Sequence, residues 1–185
     1  METQMNIFRV HNDPVIAAQS LVDRHVVKMI LESAQLLSTA HRLLDGEEYV
    51  GQSKTGRKAK RWRLNDERES IIYSATHINH PSSIWCRTSV ENYNWLVEHM
   101  FGLLQEYTHR YSKIHSIQKS KLSYLLQSPP HNLKEYEETP FLCAMAEEYI
   151  ISDDPVINYR NYYIQGKKHL HRWSNRTAPD WMNVD

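Results

Sequence analysis

An imidazole, an amine, a carboxylate and an amide follow one another along one stretch of this chain. They are His25, Lys28, Glu32 and Gln35, in the run Leu21-Val-Asp23-Arg-His25-Val-Val-Lys28-Met-Ile-Leu-Glu32 and its continuation. At about 100° per residue the four fall in one narrow helical stripe. Val22, Val26, Met29, Ile30, Leu36 and Leu37 form a broader apolar arc beside it. A packing face would then adjoin a reactive one. A carboxylate beside an amine and an imidazole can carry general acid–base chemistry, because neighbours and burial tune its pKa. A plainer reading stands next to it. Lys28 and Glu32, four apart, can form an ordinary intrahelical ion pair, in the weaker Lys-before-Glu order, and His25 can simply pack.

Three further groupings suit an anionic polymer. His80-Pro81 with Trp85 opens a helix whose free N–H groups could meet a phosphate, or His80 caps that helix and Trp85 is core. Glu106, His109, Arg110, Lys113 and His115 make a polar, mostly cationic helix end, which the helix dipole also favours. Tyr159, Arg160, Tyr162 and Tyr163 precede Lys167, Lys168, His169, His171, Arg172 and Arg176. Aromatics interleaved with bases can stack on unpaired bases and grip phosphates, while tyrosines at this spacing also pack helices. No metal-ligand spacing, glycine-rich phosphate loop or serine-nucleophile motif is present, so neither a metal nor a cofactor is expected.

The elements that must position these groups read as helices. Residues 1–5 are expected to be a disordered lead and residues 6–10 a short extended segment. Asn12-Asp13-Pro14 is a capped start with proline in the first turn, predicting a helix over Pro14–Ser20. The stripe's helix then runs to about Leu44, with Gly46 as its stop. Residues 51–66 hold six lysines and arginines and two glycines and read as a mobile basic loop insertion. Its Lys58 and Arg61 are candidate phosphate contacts, although a solvated loop explains the same composition. A helix opens at Asn79–Ser83 and continues with helical period past Tyr107. Weaker helices are expected at 117–126 and 140–150. Asp153-Asp154-Pro155 starts a last long helix to Trp173, and 174–185 is a tail. No strand pair stands out. The fold class is mainly α, one compact helical domain over 1–185.

Composition narrows the function classes. At 185 residues a single domain can bury about two-thirds of its unfolded surface. The formal net charge is zero, which excludes coating nucleic acid by bulk charge but leaves local patches free to bind it. Cys86 and Cys143 are far apart and suggest buried thiols in a reducing compartment. No run is long enough to span a membrane, and no signal-peptide core opens the chain. A cytoplasmic protein, as a monomer, is the expectation.

These residues carry a family resemblance. The pattern Leu21-x-Asp23-x-His25-x6-Glu32 resembles the first long helix of the pyrimidine-dimer DNA glycosylases of the endonuclease V type. Leu21, Asp23, Lys28, Glu32, Gln35, Leu36 and Leu37 stand in register with small bacterial and phage proteins of that superfamily. His80-Pro81 with Trp85, Glu106-Tyr107-Thr108-His109-Arg110 and Asp154-Pro155-x3-Tyr159-Arg160 look similar too. The closing pattern Trp173, Asn175, Arg176, Pro179 and Trp181 is similar to large tailed-phage members. The resemblance covers 6–115 well and the remainder loosely. It implies a mainly α glycosylase-like fold, double-stranded DNA as partner, and an enzyme that flips a nucleotide and acts on a damaged or modified pyrimidine. It implies Glu32 as acid/base, with Lys28 and His25 in the catalytic site. Gln35, His80, Arg110, Tyr159, Arg160, Arg176, Lys58 and Arg61 would line the site or contact DNA.

One departure bears on the chemistry. That family attacks with an N-terminal α-amine freed by methionine removal, and here Glu2 follows Met1 and Asn6 follows Met5, both of which retain methionine. Lys28 is then the amine on hand. Two other functions remain open from the sequence. One is a phage DNA base-hypermodifying transferase on the same scaffold, adding an amine or amino acid to a 5-substituted pyrimidine. The other is a non-catalytic DNA-binding or host-interfering protein.

Overall fold

A computed structural model describes residues 5–53 and 55–183. Most of the expected lead (1–4), Lys54 of the basic stretch and the last two tail residues lie outside the described residues. The protein is mainly helical. Helix α1 (Pro14–Ser20) is followed by α2 (Asp23–Asp45), strands β1 (Glu47–Gln52) and β2 (Lys58–Arg63), and helices α3 (Arg68–Ile71) and α4 (Pro81–Cys86). Helices α5 (Val90–Tyr111), α6 (Lys121–Leu125) and α7 (Pro155–Gly166) complete the order, with 3-10 turns at Ser116–Lys119, Glu147–Tyr149, Lys168–Leu170 and Asp180–Met182.

Local chemistry explains the boundaries. Asp13 caps α1 by accepting from the amides of Val15 and Ile16, with Pro14 at the first position, as the sequence predicts. Helix α2 stops at Gly46 for a different reason from the one expected. Gly46 has φ −89°, not a left-handed conformation. It is small because an added Cβ would lie 2.4 Å from the Arg42 carbonyl and 3.1 Å from Trp62 Cβ. The helix expected from residue 79 onward is broken: α4 ends, and Ser89 starts α5 afresh by accepting from the Asn92 amide. The last helix ends at Gly166, seven residues before Trp173. The 140–150 region forms only a 3-10 turn.

The core is built on α5. Helices α1 and α2 both pack along it, contributing Ala17, Ala18, Val26, Met29, Ile30, Leu36 and Leu37 against Tyr93, Leu96, Met100, Leu103 and Leu104, all nearly inaccessible. Two ring nitrogens tie α1 down: Trp95 Nε1 donates to the Asn12 carbonyl at 2.6 Å, and His99 Nδ1 to that of Pro14 at 2.9 Å. The segment 5–10 has no helix or strand and is buried over its whole length, Met5 included, so Met5 does not belong to a loose lead. Trp181 of the expected tail is half-buried and packs against the core.

Two expectations are corrected here. The chain does contain a strand pair, and the stretch 51–66 is not a loop insertion but mostly an antiparallel hairpin, in register from Glu47 opposite Arg63 to Gln52 opposite Lys58. Cys86 is buried while Cys143 is only partly so, and neither is in a disulfide. No helix among the described residues is long and apolar enough to cross a membrane.

Candidate active site on the second helix

Glu32 lies at the middle of α2, with its side chain 11% exposed. Oε1 accepts from Lys28 Nζ at 3.0 Å, one helical turn earlier. Oε2 accepts the backbone N–H of Asn6 at 3.2 Å. A nearly buried carboxylate needs such partners, and here each oxygen has one. Lys28 is half-exposed and so bridges the buried carboxylate to solvent.

The placement of Asn6 is itself determined. Its Oδ1 accepts from the Ile7 amide at 2.8 Å and the Tyr159 hydroxyl at 2.9 Å, and its Nδ2 donates to the Ala144 carbonyl at 2.9 Å. The Ala144 amide closes the ring by donating to the Tyr159 hydroxyl at 3.0 Å. Tyr159 is wholly buried. It supports Asn6 from behind, and the hydroxyl expected among the DNA contacts is engaged with Asn6 and Ala144 inside the core.

Two residues further on, Phe8 adopts φ 56°, a left-handed conformation that a bulky residue takes only when packing enforces it. The enforcing contacts are aromatic. The Phe8 ring stacks on His25 with centroids 4.2 Å apart and interplanar angle 13°, and meets Tyr163 edge-on at 5.5 Å. His25 Nδ1 and the Tyr163 hydroxyl are 2.5 Å apart, and burial, then the charges of Lys28 and Arg24, pushes the His25 pKa down to about 3. The phenol therefore donates to a neutral imidazole. His25, expected in the catalytic site, is 3% exposed and stacks on Phe8, so in this structure it seats Phe8 and with it the 5–10 segment. Gln35 is half-buried one turn beyond Glu32.

Beside Lys28 opens a cleft of about 640 Å³ lined by Asp23, Arg24, Val27, Lys28, Tyr111, Arg172 and Ser174, within the size range of small-molecule sites. Three cations from two segments face it. Its one carboxylate, Asp23, is already engaged: it accepts from the Ser174 amide at 2.9 Å and hydroxyl at 2.7 Å, and from Arg110 at 2.9 Å. Ser174 and Arg110 hold the Asp23 carboxyl below its usual range against the opposing pull of burial.

Arg110 does not reach the cleft. Its side chain is fully buried, bonded to Glu106 at 2.6 Å, Asp23 at 2.9 Å and the Gln19 carbonyl at 3.0 Å. Expected among the DNA contacts, it instead has its donors balancing two carboxylates inside the protein. Arg176 grips both oxygens of Glu106 at 2.5 and 2.7 Å and keeps some exposure. It shares a second cleft with Arg160, His11 and Asp180. Arg160 donates to the Val10 carbonyl at 2.8 Å, and its guanidinium lies 5.5 Å from the Trp181 ring centroid.

His80 is the cap of α4, accepting from the Ser82 amide at 3.2 Å, with Nε2 buried and without a partner among the described residues. Trp85 is core, its Nε1 donating to the Thr139 carbonyl at 3.0 Å. Lys58 is exposed on the hairpin, and Arg61 beside it reaches the Gln52 carbonyl at 3.3 Å. Among the described residues no three His, Cys, Asp or Glu side chains are grouped to hold a metal ion.

The stripe read from the sequence is thus brought together at Lys28 and Glu32. The residues that sequence reasoning missed are Asn6 and Phe8, and Tyr163, named among the stacking aromatics, proves to be the partner of His25. The signal for Asn6 was present, as a lone amide in an apolar lead-in. Comparison of the chain with protein-family models, curated proteins and solved structures returns no match.

Proposed function

We propose that the protein is a DNA-acting enzyme of the pyrimidine-dimer glycosylase type, with Glu32 as acid/base and Lys28 as its amine partner. The observation that carries this reading is Glu32 itself, a carboxylate sunk to 11% exposure yet held 3.0 Å from an amine that reaches solvent. In this reading a flipped nucleotide enters at the cleft beside Lys28, because base chemistry requires the base out of the stack. Arg24 and Arg172 meet its phosphates. Glu32 takes the proton that leaves Lys28 and passes it to the departing base, as the amine bonds to the anomeric carbon and the glycosidic C–N bond breaks; the adduct then opens its sugar ring to an imine, the species borohydride reduces. The Asn6 amide holds the second carboxylate oxygen and fixes the first toward Lys28.

The test is turnover of duplex DNA carrying a damaged or modified pyrimidine, read by nucleoside mass spectrometry. Glu32→Gln keeps the shape and removes the proton relay, and the expected loss is about 10²–10⁴-fold. Lys28→Arg keeps the charge and loses borohydride trapping on the protein. Full activity of Glu32→Gln would overturn the assignment. A heavier intact nucleoside in place of base loss would identify the transferase chemistry instead.

A further inference from the structure

The β1–β2 hairpin concentrates the positive charge of the chain. Residues 47–63 contain six lysines and arginines against two glutamates, in a protein whose basic and acidic totals are equal at 22 each. The glutamates sit at the base of the ribbon, opposite Arg63 and Trp62, and the distal pairs Val50–Lys60, Gly51–Ala59 and Gln52–Lys58 carry no acid. Residues directly opposite share a face. Arg61 and Arg63 therefore project from one side, with the Arg63 guanidinium 4.8 Å over the Tyr49 ring. Lys58 and Lys60 project from the other, where Lys60 Nζ is paired with Glu48 at 2.9 Å and Val50 is 70% exposed.

A two-stranded ribbon without a buried face is marginal on its own, yet this one is braced. Arg42, at the end of α2 and 5% exposed, donates to the Trp62 carbonyl at 3.2 Å, to the Glu69 carboxylate, and to the carbonyls of Glu69, Ile72 and Tyr73 at 2.8, 3.1 and 3.2 Å. The far end closes on a five-residue loop in which Gly56 takes φ +77°, the Gly56 amide donates to the Ser53 carbonyl, and the Ser53 amide to that of Arg57. A charged arm is thus held firmly on the body by its base while both faces stay open.

We propose that this ribbon is a groove-binding arm for double-stranded nucleic acid, an inference that rests on the DNA reading above for the choice of polymer. A duplex major groove, roughly 12 Å wide, admits a two-stranded ribbon, and cations on both faces then meet the phosphates on both walls. A single strand would call for open aromatic platforms, and here both rings are engaged: the Arg63 guanidinium lies over one face of the partly exposed Tyr49, and Trp62 packs at Gly46. Asp45 lies thirteen helical steps beyond Glu32 on α2. At about 1.5 Å each, the ribbon's base stands roughly 20 Å along the helix from the carboxylate.

The experiment is fluorescence anisotropy of the full chain on a labelled duplex of about 20 base pairs, at roughly 50 to 200 mM salt. Neutralising the ribbon as K58Q/K60Q/R61Q/R63Q, with folding checked by circular dichroism, is expected to weaken binding at least tenfold. It should also flatten the salt slope by about 0.9 for each phosphate that the ribbon no longer neutralises. K58R/K60R is expected to retain both. If the neutralised chain does not fold, acetylation of Lys58 and Lys60 in the wild-type protein supplies the readout, and the duplex is expected to protect both. Unchanged affinity and slope in the folded neutralised variant, unprotected lysines, or tighter binding to a single strand or to phosphatidylserine vesicles would overturn the proposal. Glu32→Gln, read by anisotropy and by nucleoside mass spectrometry of the same duplex, separates the two readings. A ribbon-dependent complex that turns over regardless of Glu32 sinks only the catalytic assignment, and Glu32-dependent turnover that ignores the ribbon sinks only the arm.

Discussion

The backbone N–H of Asn6 donates to Glu32 Oε2 at 3.2 Å, joining residues 26 apart in the chain at one carboxylate. That bond makes the buried segment 5–10 a wall of the candidate site. Its orientation depends on the Asn6 side chain and on Tyr159, so Asn6→Ala should act at two levels. It leaves the Tyr159 hydroxyl and the Ala144 carbonyl buried and short of a partner, at a cost of about 1–3 kcal/mol, readable by urea denaturation. Tyr159→Phe should cost about as much or less, and turnover should fall with it if Asn6 positions Glu32.

Acid should destabilise the fold earlier than its carboxylates alone would cause. Burial pushes the His25 pKa down to about 3 and those of His41 and His99 to about 4. His41 Nδ1 accepts from Arg68 at 2.8 Å and its Nε2 donates to the Tyr93 hydroxyl at 2.8 Å, so an added proton has no place on that ring. These are bases with lowered folded pKa values, so below about 6.5 the unfolded chain binds protons that the folded one refuses. Their stabilisation is complete above about pH 6.5 and is lost as pH falls toward 4 and then 3. It amounts to on the order of 3 kcal/mol for each of His41 and His99. The carboxyls of Asp23, Asp45 and Asp66, held low mainly by arginine and amide hydrogen bonds, add a second loss only below about pH 4. Urea midpoints measured from pH 8 to 4 should decline steadily from about 6.5. A flat profile down to pH 4.5 would contradict the neutral buried imidazoles.

Arg110 should behave as a structural residue. Arg110→Ala leaves Glu106, 2% exposed at its side chain, facing Arg176 alone, and leaves Asp23 short of a donor. The expected loss of stability is about 3–5 kcal/mol, the range for breaking a buried pair. The salt slope of DNA binding should stay at its wild-type value under conditions where the variant is folded. A slope shallower by about 0.9, the equivalent of one phosphate, would restore Arg110 to the DNA surface.

Arg42→Ala should loosen the hairpin. With the guanidinium gone from one end of the ribbon, the carbonyls of Trp62, Glu69, Ile72 and Tyr73 lose their common donor. Limited proteolysis within 53–63 should then accelerate at least tenfold relative to wild type. Cleavage elsewhere should be much less affected. Equal rates at that segment would show that the ribbon does not depend on the clamp.

Much of the framework could be read directly from residue order. The Asp13-Pro14 start of α1, the run of α2 and its Lys28–Glu32 spacing are local matters, decided by capping, by φ and by helical period. The hairpin was not legible, because Glu-Glu-Tyr-Val-Gly-Gln and Lys-Ala-Lys-Arg-Trp-Arg are charge-rich and lack a clear apolar alternation. It is held at its base by Arg42, a residue from another element. Arg110, Tyr159 and His25 carry groups that bind DNA as readily as they fill a core, and composition does not separate those uses. Which applies depends on what surrounds each side chain. Glu106 and Asp23 arrive beside Arg110, Asn6 beside Tyr159, and Phe8 beside His25, and most of these partners come from distant parts of the chain. The sequence by itself determined α1, the run of α2 and that Glu32 stands one turn from Lys28. Tertiary structure alone decided that the segment 5–10 closes over that pair, because buried polar groups must find partners and those partners lie far away in the chain.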